Sequence, residues 1–292
     1  MQNVSIKFNG ALVLWSITGT AEGETVNTKL RELGLPEAPT IDTQEALRLA
    51  MHKDSNRRVM VRPLSQGVGY ALVEEKDTGT EMEYQEVYRA IVVDGSLVGM
   101  PGRKIVSCSV GADSGLSNNK LYQMLQARFD SLYGRIDATR LGSCLTNAVR
   151  SMGGVAVRNR GGVYWLPEER LEGFSEVAQV VEEGARGSSV FRVRTVADEQ
   201  TVKLITASLD HEVGTEAARI QEELMGGELG ERAIETRQRR LGELQSRVEE
   251  YEGMLGERMS SLKSRLEEVG MAQVVAELTT GTDTESFTPN IR

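Results

Sequence analysis

Apolar and polar residues alternate at Val4, Ile6 and Phe8, and alternation resumes as ALVLWSI after Asn9-Gly10. Period-two patterning on both sides of an Asn-Gly step predicts a β-hairpin, because both central residues of the tight turn take positive φ. A Gly/Glu-rich turn and a short helix ending near Gly34 follow, then Pro36 and Pro39 punctuate the chain. Asp42 with Glu45 three residues on forms a capping-box-like start for a helix carrying Ala46, Leu47, Ala50 and Met51 on one face. From Arg57 to Cys108 the pattern changes to strands: RRVMVRP, GVGYALVEE, EMEYQEVYRAIVV, SLVGM and RKIVSCSV. Asp77-Thr78-Gly79 and Asp94-Gly95 are expected to reverse them. The expected class is α+β, with residues 1–110 forming an antiparallel meander whose covering helices pack on one face.

The loop GADSGLSNN closes that region, and helical spacing returns at Leu121, Leu125, Phe129 and Leu132. A second helix is expected from Asp137 as N-cap through Leu141, Leu145, Ala148 and Val149 to Met152, where Gly153-Gly154 stops it. VAVRNRGGVYWLP then reads as two short strands around a basic turn. Helix, helix and basic-tipped hairpin within 117–184 resemble the recognition helix and wing of a winged-helix domain, over about 50 residues and by topology alone. Tyr164 and Trp165 are expected in the core at the base of that wing rather than as stacking platforms. A helix follows Pro167, and ARGSS reads as a flexible linker. VFRVRTV and a helix then fill 189–225.

Between 229 and 278 one long amphipathic helix is expected, either in a helical hairpin or as a coiled coil. Its apolar positions are Leu241, Leu244, Val248, Tyr251, Leu255, Met259, Leu262, Leu266 and Val269, spaced by threes and fours with one doubled four around Leu255. Such a seam either pairs with another copy or another protein, or folds back on the helix before it. Gly242, Gly253 and Gly256 weaken the helix by about 1 kcal/mol each relative to Ala, so it needs a packed neighbour. Residues 279–292 lack apolar periodicity and are expected to form a flexible tail.

Charge changes this picture locally. The net charge is -9, yet residues 134–166 carry five arginines against the single acid Asp137, whereas 167–292 carry 15 basic against 26 acidic residues. The basic stretch is the credible anion-binding surface; the plainer alternative is that its arginines are solvated or pair with the acidic C-terminal half. On duplex DNA, Arg140, Asn147 and Arg150 would come from the helix, and Arg158, Asn159 and Arg160 from the wing.

Other chemistry finds little support. No phosphate-binding P-loop or dinucleotide fingerprint occurs; Gly67 and Gly69 lack the third glycine and helix, so no cofactor is expected. Gly111-Ala-Asp-Ser114-Gly departs from a nucleophile elbow. Two cysteines, Cys108 and Cys144, and two histidines, His52 and His211, offer neither a disulfide framework nor a zinc set, and Thr215 stands where a zinc helix after His211-Glu212 needs its second histidine. No catalytic or metal residues are assigned. No apolar run long enough for a bilayer span and no signal series is present, so a cytoplasmic protein that does not enter membranes is expected. The leading expectation is a non-enzymatic assembly or adaptor protein, a homo-oligomer or a partner of another protein through the C-terminal helix. The second is a DNA-binding regulator using the basic wing, and the third a hydrolase or transferase.

Overall fold

A computed structural model describes residues 8–55, 58–65, 68–77, 79, 81–97, 100–111, 117–158, 162–225, 231–256 and 259–282. It is an α+β molecule with antiparallel sheets. Two compact units divide the chain: one comprises Met1–Ser16, Thr146–Glu176 and Ser189–Arg292, the other Ile17–Leu145 and Val177–Ser188. Strand β1 (Phe8–Ser16) belongs to the first and runs straight through Asn9-Gly10, with a register shift there. The expected hairpin at that step is therefore absent, and Val4 and Ile6 lie outside the described residues.

In the second unit, β2 (Thr20–Glu22) leads into α1 (Gly23–Glu32). Then α2 (Thr43–His52) starts where the sequence placed it, the Asp42 carboxylate accepting the Glu45 backbone N–H at 2.8 Å. The meander follows as β3 (Val59–Pro63), β4 (Gly69–Asp77), β5 (Met82–Leu97) and β6 (Met100–Val110), neighbours in that order and all antiparallel. β5 continues through Asp94-Gly95 to Leu97, which pairs with Met100 of β6, so Asp94-Gly95 is not the reversal and Ser96-Leu97 belong to β5. α3 (Asn118–Asp130) joins α2 on one sheet face, burying Leu47, Met51, Leu125 and Phe129 against Leu72, Tyr88 and Val106. Polar groups inside this layer are satisfied. Tyr88 donates to Asp54 at 2.7 Å, Arg128 pairs with the same carboxylate at 2.6 Å, and Gln126 accepts the Val106 N–H at 2.8 Å. Burial raises the Tyr88 phenol well above its usual range. A short β7 (Arg135–Asp137) pairs with β2.

Helix α4 (Ala138–Ser151) is capped by Asp137, which accepts the Arg140 N–H at 2.8 Å, and it ends at Gly153, where φ is +80°. β8 (Val155–Ala156) and β9 (Tyr164–Pro167) form the expected hairpin, followed after one 3-10 turn by α5 (Leu171–Gly184). ARGSS is a fastened turn instead of a linker: Ser188 Oγ accepts the Thr18 N–H at 3.0 Å and donates to its carbonyl at 3.1 Å. β10 (Ser189–Val196) completes a sheet of order β10-β1-β9-β8. The need for Gly10 now has a different cause. A Cβ there would lie 2.3 Å from the Leu166 carbonyl oxygen and 2.6 Å from the Trp165 ring, so glycine permits close packing of β1 on β9 instead of a turn.

The expected long C-terminal helix is two helices. After α6 (Glu199–Met225) come α7 (Glu231–Leu255) and α8 (Ser260–Thr282), so residues 279–282, expected in the tail, are helical. The doubled four around Leu255 marks the break: Gly256, at φ +67°, terminates α7, and its N–H reaches the Glu252 carbonyl at 2.9 Å. The Glu252 carboxylate then accepts the Met259 N–H at 2.6 Å and holds Lys263, which folds α8 back along α7. α6 runs antiparallel to α7, as Arg237 on Glu223 at 2.8 Å and Arg247 on Glu212 at 3.0 Å require. The result is a three-helix bundle whose interior contains Leu209, Val213 and Ile220 of α6. Leu241, Leu244, Val248, Tyr251, Met259, Leu262, Leu266 and Val269 are all buried in it, and Leu255 packs partly buried against it. The apolar stripe is thus closed within one chain.

Candidate anion-binding groove

In the first unit a groove of about 560 Å³ opens between the end of α4, the β8–β9 hairpin and the facing surfaces of α6 and α7. Each wall has a local cause. The helix stop at Gly153-Gly154 turns the chain into β8, leaving Arg150 exposed on the last turn of α4 and Arg158 exposed just after β8. The opposite wall is built from α6 and α7, whose apolar residues face the bundle and whose charged flanks therefore face the groove: His211, Glu212 and Glu216 from α6, Arg240, Glu243 and Arg247 from α7.

The floor is a half-buried clip. Arg247 donates to Glu212 at 3.0 Å and to the Gly154 carbonyl at 2.7 Å, while Glu212 accepts the Ala156 N–H at 3.3 Å. Tyr251 donates to the Gly153 carbonyl, and Trp165 lies tilted on Tyr251 with ring centroids 5.9 Å apart. These bonds fix the hairpin on the bundle. Burial raises the Tyr251 phenol above its ordinary value, so it remains a neutral donor.

The groove is lined by Arg150, Arg158, Arg240 and Arg247 and by Glu212, Glu216 and Glu243, the last of which also lies 3.9 Å from Arg239. Arg247 is neutralised by Glu212, and Arg240 pairs with Glu216. Arg150 and Arg158 meet no acidic partner among the described residues although they line the same space. Two free guanidinium groups beside neutralised ones make a local positive edge in an acidic chain, suited to bidentate binding of a phosphate or carboxylate.

Of the residues named from the sequence, Asn147 is exposed on α4 and Arg150 and Arg158 share the groove. Asn159 and Arg160 lie outside the described residues. Arg140 does not belong to the site. It sits in the second unit, held by Glu45 at 2.6 Å and Asp137 at 2.9 Å, and these carboxylates raise its already high pKa further. Arg240 and Arg247 were legible only as charges on a helix flank, and His211 only as a zinc-helix start lacking its second histidine, because what brings them to the hairpin is packing between segments 35 or more residues apart. Tyr164 and Trp165 are buried, consistent with a core role.

The other chemical features remain structural. Among the described residues no cluster of three His, Cys, Asp or Glu side chains could hold a metal, and no helix is long and apolar enough to cross a membrane. Both cysteines are free thiols. His52 Nδ1 lies 3.1 Å from Ser55 Oγ, but that hydroxyl donates to the His52 carbonyl at 2.7 Å, a helix-end bond. Ser114 lies outside the described residues.

Comparison with curated proteins and with solved structures gave no match. Residues 10–282, a span that includes the whole groove, match the family of unknown function DUF6744, and the chain belongs to that family.

Proposed function

We propose that this chain is a non-enzymatic nucleic-acid-binding protein that holds a phosphate backbone at the groove formed by α4, the β8–β9 hairpin and the bundle. One observation carries the reading: Arg150 and Arg158 line one open groove without an acidic partner among the described residues, beside arginines that their own glutamates neutralise. The order α4, β8, β9, with β1 as the third strand of that sheet, supports a winged-helix-like arrangement in which Asn147 and Arg150 come from the helix and Arg158 from the wing. Two free thiols suit a reducing cytoplasm.

Assembly through the C-terminal helices draws no support from their apolar stripe, which is buried in the bundle. An adaptor role needs a different surface.

The test is binding of a labelled DNA duplex by the full chain across a salt series. Each phosphate contact contributes a slope of about -0.9 in log K against log[salt]. Contacts from Arg150 and Arg158 give a total near -2, and Arg150→Ala and Arg158→Ala each reduce its magnitude by about 1. Arg140→Ala leaves the slope unchanged. Absence of binding at low salt, or equal slopes in wild type and both groove variants, contradicts the proposal.

A further inference from the structure

We propose that β10 is a docking edge for an extended acidic segment of another protein, which adds to the sheet as a further strand. β10 is the terminal strand in the order β10-β1-β9-β8, so among the described residues only β1 pairs with it. Native edge strands are commonly short, proline-containing or covered, because unpaired backbone groups invite a further strand. This one has eight residues, SVFRVRTV, and no proline. Two apolar side chains on one face are uncovered as well: Phe191 is 53% and Val193 54% exposed, whereas Val190 on the other face is buried. They share a face with Thr195, which accepts the Trp165 indole N–H at 3.0 Å. Arg192 and Arg194 occupy the opposite face, both exposed.

That alternation selects the occupant. A second copy pairing symmetrically through β10 keeps each face on its own side, so a register centred on Arg192, Val193 or Arg194 sets Arg192 against itself, Arg192 against Arg194, or Arg194 against itself. Like charges directly opposite destabilise a strand pair. Arg194 already has the Glu168 carboxylate at 3.3 Å, whereas Arg192 finds no acid among the described residues. A segment alternating Glu or Asp with Val or Ile meets both faces: carboxylates beside Arg192 and apolar side chains beside Phe191 and Val193. Its backbone would add a strand beside β10 at the end of the sheet, the β-augmentation mode of recognition. This surface is independent of the groove.

The test uses the full chain and two acetylated eight-residue peptides, one alternating Val with Glu and one alternating Val with Lys. Binding is read by fluorescence anisotropy and by amide hydrogen exchange along β10. The Glu peptide is expected to bind at least about tenfold tighter than the Lys peptide and to slow β10 exchange. Arg192→Glu, at an exposed site and with its fold checked by circular dichroism, is expected to reverse the preference. Equal binding of both peptides, binding of neither, or Glu-peptide binding without slower β10 exchange overturns the proposal. So does slow β10 exchange in the peptide-free chain accompanied by a dimeric mass, which would make a second copy the occupant.

Discussion

Cys144 lies buried in α4, and burial pushes its thiol up to about 11, because the thiolate loses hydration that nothing around it replaces. A thiol in the unfolded chain ionises near 9. The neutral form is therefore held in the fold, its contribution is complete below pH 9, and it is lost as pH rises from 9 towards 11. Chemical denaturation across that range is expected to show wild type losing about 2 kcal/mol more than Cys144→Ala, whatever offset the variant carries from lost packing. Parallel curves for the two proteins would show that burial does not perturb the thiol. Single residues were legible in the sequence where their partners are local. Asp42 and Asp137 cap the helices expected of them, since a cap reaches only three residues along the chain. Arg140 was misplaced because its partner Glu45 is 95 residues away, and Gly10 because the demand on it comes from β9. Local spacing carries no record of either.

At the scale of elements, periodicity identified α2, α4, the meander and the β8–β9 hairpin, since each buries one face with its own regular spacing. It missed the division of the C-terminal helix, although the doubled four at Leu255 sits at the break. Three glycines that look equivalent in the sequence separate here. Gly256 adopts φ +67°, a conformation that penalises any side chain, whereas Gly242 and Gly253 are in α7 with nothing within 4 Å of the place an added methyl would occupy. Gly256→Ala is expected to lower stability by about 1 kcal/mol. Gly242→Ala and Gly253→Ala should each raise it by about 0.5–1 kcal/mol. Urea titration of the three variants checks the signs, and a stabilising Gly256→Ala would mean that α7 continues through the turn.

For the molecule as a whole, the decisive matter is how the C-terminal apolar stripe is covered. Three helices within one chain enclose Leu241, Val248, Tyr251, Leu262 and Leu266, and this closure turns the charged flanks of α6 and α7 towards the hairpin and creates the groove. Association in trans is the leading expectation from the sequence, but heptad spacing does not record closure in cis, because a knob fills the same hole whether the facing helix belongs to its own chain or to another. Closure of α8 on α7 within one chain can be read directly at Lys263 and Glu252, which form an ion pair across the turn between them. Equal amounts of isotopically heavy and light chain are mixed, refolded together and joined at that pair by a zero-length carbodiimide cross-link. Mass spectrometry is expected to find Lys263–Glu252 links of one isotope only; mixed heavy-light links making up about half of the product would show that the stripe is closed between chains.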